Sequence, residues 1–252
     1  MNPLNIVIII FIIVLVILLL KYILADPYTL QSMQNGKTSS VIESSSLATS
    51  NNSGASTNFA YSIWFYVNDW NYRYGEPKVI FGRMAGTSTA GSGNVDGING
   101  VDPCPAVVLD AIENNISVSL ACFPGDEVNS GSTSNSVHTC SVSNVPIQKW
   151  VNLIISVYGR SMDIYIDGKL VKTCLLPGVA NVKNDANIFV TPSGGFDGWT
   201  SKFQYYPSPL NPQEAWNIYT KGFSSWYSNM FSSYNIQVSL VENGATRSTL
   251  TL

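Results

Sequence analysis

From Leu4 to Leu20 the only polar side chain is Asn5, and the apolar run continues through Tyr22, Ile23, Leu24 and Ala25. At about 1.5 Å rise per residue, a helix of roughly 20 residues crosses a hydrocarbon core of about 30 Å. A buried core helix rarely needs so uniform a surface. Residues 1–25 therefore read as a single transmembrane α-helix meeting membrane lipid through residues 4–25, with Lys21 and Tyr22 at the interface. A cleaved signal peptide would need a basic start, a shorter apolar core and small residues before the cut. Here the chain opens Met1-Asn2-Pro3, and Ile23 is a poor partner for cleavage after Ala25.

Lys21 and Lys37 follow the span and nothing basic precedes it, which favours a C-terminal domain facing the cytosol. Two sequons, Asn51-Asn52-Ser53 and Asn115-Ile116-Ser117, and four cysteines point the other way. Residues 26–57, rich in Ser, Thr, Asn and Gly beyond Thr38, read as a tether. If flexible, about 30 such residues reach roughly 30 Å. Ser40 to Glu43 is either part of that tether or a first edge strand.

The remainder is strand-like. Phe59 to Val67 is nearly continuously aromatic or β-branched, so both its faces require cover. Val79–Arg83 is a short strand, and Thr87 to Val101 a Gly/Ser/Asn-rich loop. Ala106–Leu109 and Ile116–Ala121 flank a turn at Glu113-Asn114-Asn115. Trp150–Tyr158, Met162–Ile166 and Lys169–Cys174, joined by Gly159-Arg160 and Asp167-Gly168, form an antiparallel meander. Asn211-Pro212-Gln213-Glu214 opens a short helix with a capping side chain, a first-turn Pro and an acid three residues after the cap; Gly222 closes it. A hairpin around Asn243-Gly244 ends the chain. The turn near Glu113 sets Cys104 almost opposite Cys122, a candidate disulfide that leaves Cys140 and Cys174 as the second pair; free buried thiols are the alternative.

Three segments together resemble the concanavalin A-like, laminin-G-type jelly-roll superfamily. They are Phe59-Ala60-Tyr61-Ser62-Ile63-Trp64-Phe65-Tyr66; the strand from Trp150 to Val157 leading into Tyr165-Ile166-Asp167-Gly168; and Gly198-Trp199 through Ile218-Tyr219. The resemblance covers roughly residues 58–222 and implies an all-β antiparallel sandwich there, preceded by the membrane helix and followed by an aromatic segment and hairpin at 223–252. Anchored domains of this type resemble membrane-associated minor capsid proteins of large DNA viruses. That likeness implies a virion internal membrane, a domain facing the capsid, and capsid proteins as partners.

Function must be argued from sites rather than fold. The family's glycosidases carry Glu-x-Asp-x-Glu on one strand, and this chain has no such run; Glu113, Glu127 and Glu214 stand alone. His138 is the single histidine, no nucleophile elbow is present, and the cysteines lack zinc spacing. Asn94, Asp96, Asn99 and Asp102 offer oxygens without the order of a calcium loop. No enzyme and no cofactor is expected. A net charge of −3 with no basic run gives no footprint for nucleic acid. Trp70, Tyr72 and Tyr74, beside Asp69, Asn71 and Arg73, could stack on a sugar ring, making a lectin-like glycan-binding module the alternative. Phe223, Trp226, Tyr227, Phe231 and Tyr234 are spaced as one helical face that either forms a partner interface or packs back on the domain. The expected role is a structural scaffold held at a membrane surface.

Overall fold

The computed structural model describes residues 11, 12, 15, 16, 19, 26–47, 57–84, 102–123, 136–183, 185–224, 237–242 and 245–251. In chain order the strands are β1 (Thr29–Gln31), β2 (Gln34–Asn35), β3 (Ser40–Ile42), β4 (Phe59–Asp69), β5 (Lys78–Met84), β6 (Ala106–Leu109), β7 (Ile116–Cys122) and β8 (Ser136–Val142). They continue as β9 (Trp150–Tyr158), β10 (Ser161–Ile166), β11 (Lys169–Leu175), β12 (Asn187–Val190), β13 (Asp197–Tyr206), β14 (Gln237–Glu242) and β15 (Ala245–Thr251), with helix α1 (Pro212–Thr220) between β13 and β14. The first sheet runs β1-β13-β4-β9-β10-β11, with β2 also on β13; the second runs β3-β12-β5-β6-β7-β8; β14 and β15 pair with each other. Neighbours in both sheets pair antiparallel. This is the all-β sandwich expected from the sequence.

The period-two alternation of the first sheet explains its packing. Phe59, Tyr61, Ile63, Phe65 and Val67 of β4, with Val151, Leu153, Ile155 and Val157 of β9, enter one core shared with Ile80, Val107, Val118 and Ile188 of the second sheet. The intervening residues of β4 face outwards, yet Trp64 is also buried, because α1 and its trailing residues lie over it. That cover accounts for the unbroken apolar run in β4. Tyr165 of β10 alternates with the core residues Met162 and Ile164, yet it too is buried, beneath the helix with Ile154, Ala215 and Ile218.

Helix α1 starts where its sequence dictates. The Asn211 side chain accepts from the Glu214 N–H at 2.9 Å, and the Glu214 carboxylate accepts from the Asn211 N–H at 2.8 Å. Gly222, at φ 73°, ends the helical segment, its N–H donating to the Tyr219 carbonyl. Gly168, at φ 72°, lies beneath α1, where a Cβ would come within 2.9 Å of the Tyr219 Cβ; the turn and the helix contact both require glycine.

One expectation changes. The sheets begin at Thr29, well ahead of residue 58: β1 and β2 pair with β13, and β3 pairs with β12 through Ile42 and Ile188. Residues 26–47 are thus built into the sandwich, and of the two readings of Ser40–Glu43 the edge strand holds. Ser, Thr and Gln resemble linker because an edge strand with one solvated side needs few apolar residues. The expected membrane span lies outside the described residues except for Phe11, Ile12, Leu15, Val16 and Leu19, which are helical and exposed. Among the described residues no helix is long and apolar enough to cross a membrane.

Candidate functional site

Three surfaces carry the residues singled out by sequence. The first is the rim after β4. Trp70 is not an open platform: it packs against the core, its Nε1 donates to the Ile112 carbonyl at 3.0 Å, and the Lys78 ammonium sits 4.7 Å from its ring centroid. The Tyr72 hydroxyl donates to the Gly194 carbonyl at 3.1 Å, with the Lys37 ammonium 4.6 Å above the ring. Tyr74 alone of the three is open, at 59% exposure. Arg73 between them is bound to Glu76 and to the Ser193 carbonyl. Lys37 also pairs with Asp197 at 2.7 Å, and Asn68 donates to the other carboxylate oxygen at 3.0 Å. These contacts hold the Asp197 carboxyl below its usual range, chiefly through the Lys37 hydrogen bond. The rim is a cross-tied cluster with one free aromatic ring.

The second surface is the outer face of the first sheet, which sequence reasoning did not assemble. Register places Trp199 of β13 against Tyr66 of β4, and Tyr66 against Trp150 of β9, so three aromatic side chains form one row across three strands. Phe223 stacks on Trp150 with centroids 4.4 Å apart and 9° between planes, and meets Trp64 edge-on at 6.0 Å. Trp64 stacks on Tyr219, which in turn contacts Trp216. A register irregularity between Ser201 and Gln204, with Lys202 at φ 46°, re-aims β13 here. The Ser201 hydroxyl then donates to the Phe223 carbonyl at 2.7 Å and the Lys202 ammonium to the Gly222 carbonyl at 3.0 Å. Trp199 and Trp216 remain 44% and 42% exposed. Phe223, a candidate partner contact by sequence, is thus half-buried on its own domain: its ring is needed to cover Trp150. Trp226, Tyr227, Phe231 and Tyr234 lie outside the described residues.

The third surface is the sandwich edge formed by β8 and β11. Cys140 and Cys174 form a disulfide that joins these two strands across the sheets, while Cys104 and Cys122 are buried free thiols. The second candidate pair is therefore the bonded one. Burial pushes the Cys104 thiol up to about 12, so it stays protonated and inert near neutrality. Among the described residues no strand pairs with the outer edge of either β8 or β11. Leu170, Val171 and Leu175 of β11 are exposed, Leu175 at 74%. Beside them lies a groove of about 340 Å³ lined by Ser141, Val142, Val145, Ile166, Val171 and Lys172.

The remaining candidates are dispersed. Glu113 accepts from Asn115 in the β6–β7 turn and Glu214 is held in the helix cap. His138, on β8, pairs with Leu120 of β7. Asp102 meets Lys183 at 3.8 Å, while Asn94, Asp96, Asn99 and Glu127 lie outside the described residues. Among the described residues no three His, Cys, Asp or Glu side chains converge as a metal site. Arg83, 5% exposed, is a buried cation the sequence did not flag: its guanidinium donates to the Ala186 and Lys183 carbonyls and to the Tyr61 hydroxyl.

The fold and these surfaces define a two-sheet antiparallel β-sandwich with an aromatic outer face and an open edge. Among solved structures it is similar to the ligand-binding domain of botulinum neurotoxin serotype D in complex with N-acetylneuraminic acid, at TM-score 0.51 and 15% identity over 75% of this chain and 42% of that one. It is also similar to the binding domain of the same serotype at TM-score 0.50 and 16% identity, over 72% of this chain and 40% of that one. The chain spans about two-fifths of the length of these structures, and at such identity the likeness is one of fold. No family model matches the chain, and no curated protein matches it by sequence.

Proposed function

We propose that this chain is a non-enzymatic presenting module: the apolar run at residues 4–25 anchors it in a membrane, and the sandwich offers its β8/β11 edge to an extended segment of a partner protein. The observation that carries the reading is the outer edge of β11, which pairs with no strand among the described residues and runs beside exposed Leu170, Val171 and Leu175. Such an edge takes an added strand: main-chain hydrogen bonds supply affinity and alternate side chains supply specificity. The disulfide to β8 keeps the edge rigid, which lowers the ordering cost of binding. Anchoring raises the edge's effective concentration for neighbours on the same membrane. Glu113 and Glu214, committed to a turn and a cap, support a non-catalytic role.

A photo-crosslinker placed at Leu175 of the full chain in its native membrane tests this. Protein adducts that disappear when Val171 is changed to Lys are the expected result; adducts to lipid alone, or none, would overturn it. The virion setting implied by the family resemblance is one place where such a module would tie membrane to capsid, but the structural neighbours are toxin domains and give that setting no support. A lectin-like role is the second reading, favoured by the open ring of Tyr74 and by the N-acetylneuraminic acid held by the botulinum domain. Tyr74→Ala is its clean probe on a glycan array, since Trp70→Ala would also remove core packing.

A further inference from the structure

We infer that the outer face of the first sheet is a bilayer-docking surface, which lays the sandwich against the lipid headgroups. The inference rests on the membrane anchor proposed above and adds an orientation to it.

The apolar run stops at the edge of the folded domain. Ala25 is its last residue, and Asp26 already belongs to the folded domain. One Asp26 carboxylate oxygen accepts from the Gln204 side chain at 2.8 Å, and Tyr28 packs on Tyr206 with ring centroids 4.7 Å apart. Gln204 and Tyr206 belong to β13, the strand that carries Trp199 and Lys202. Lys202 lies within electrostatic reach of both Asp26 and Lys221, and its ammonium holds the Gly222 carbonyl next to Phe223. Contact is therefore continuous from the end of the apolar run to the aromatic row.

No spacer separates that run from this face. One residue spans at most about 3.6 Å, and the headgroup layer on each side of the hydrocarbon is roughly 5–8 Å deep. A span ending at Ala25 leaves Asp26 within that layer and brings the face of β13 with it. The side chains there suit such a place: Trp199, Trp216 and Tyr28 are each about two-fifths exposed, and amphipathic Trp and Tyr rings partition to the membrane–water interface. Exposed Lys221, next to Gly222, supplies a cation for phosphate groups beside this face.

The test uses the full chain in phosphatidylcholine vesicles whose acyl chains are brominated just below the headgroups, with tryptophan fluorescence as readout. Retention through alkaline carbonate extraction reports the anchor separately. Trp199 and Trp216 are two of the six tryptophans, so W199F/W216F should lose roughly a third of the bromine quenching or more, while Trp70→Phe at the rim loses little. Both changed positions are substantially exposed, so circular dichroism should match the parent. A chain that resists extraction yet is quenched equally with and without Trp199 and Trp216 would overturn the docking while leaving the anchor; the face would then belong to a protein or a glycan. A chain stripped by carbonate refutes the anchor, and with it the docking unless the quenching difference persists on added vesicles.

Discussion

Asp197 illustrates how much a single surface carboxylate is asked to do. It receives Lys37 on one oxygen and Asn68 on the other, joining β4, β13 and the turn after β2. Its folded-state pKa is lowered, so its contribution to stability is present above the unfolded value of about 3.9 and is lost as pH falls through the folded value. Asp197→Asn should therefore flatten the acid limb of a melting-temperature profile below about pH 5 while leaving the neutral region less affected; an unchanged acid limb would remove Asp197 from the account. The residues the sequence made legible at this scale are those whose role is local. Asn211, Glu214 and Gly222 act within a few positions of themselves, and each does what its type predicts; Gly168 makes the turn its type predicts and also leaves room for α1. Trp70 and Tyr72 do not, because their polar atoms are claimed by Ile112 and Gly194 from distant loops.

At the level of elements, the β8/β11 edge is held by one covalent bond between strands of different sheets. The Cys140–Cys174 disulfide closes 34 residues of chain, a loop for which the chain-entropy model gives about 3–4 kcal/mol. Replacing both cysteines by Ser should lower unfolding free energy in urea by about 2–4 kcal/mol without changing the strand content; a change below about 0.5 kcal/mol would mean that the two edges are fixed by packing alone. The meander β9–β10–β11 was readable because alternation and the Asp167-Gly168 turn specify register locally. The pairing of cysteines was not, since it depends on how two sheets stack. The early strands β1–β3 were also obscured, because edge strands and linkers share the same polar vocabulary.

Considered whole, the described residues form a two-sheet sandwich with its helix, and a C-terminal hairpin that pairs with neither sheet. Among the described residues β14 and β15 pair only with each other, so a chain ending after Ser224 should melt within about 2 °C of the full chain, a difference below about 1 kcal/mol. Ending it after Gly222 removes Phe223 and uncovers Trp150 and Trp64, which should cost about 2 kcal/mol or roughly 4–8 °C. Loss of folding in the longer product would make the hairpin an integral part of the core. By itself the sequence determined the all-β class, the β9–β10–β11 meander, the cap of the helix and the apolar run at residues 4–25, since periodicity, turn chemistry and hydropathy act over a few residues. Only the tertiary structure decided that Trp199, Tyr66 and Trp150 form one row, that Cys140 meets Cys174, and that β1, β2 and β3 join the two sheets. These depend on register between strands far apart in sequence, where the free energy of one contact is conditional on all the others having formed.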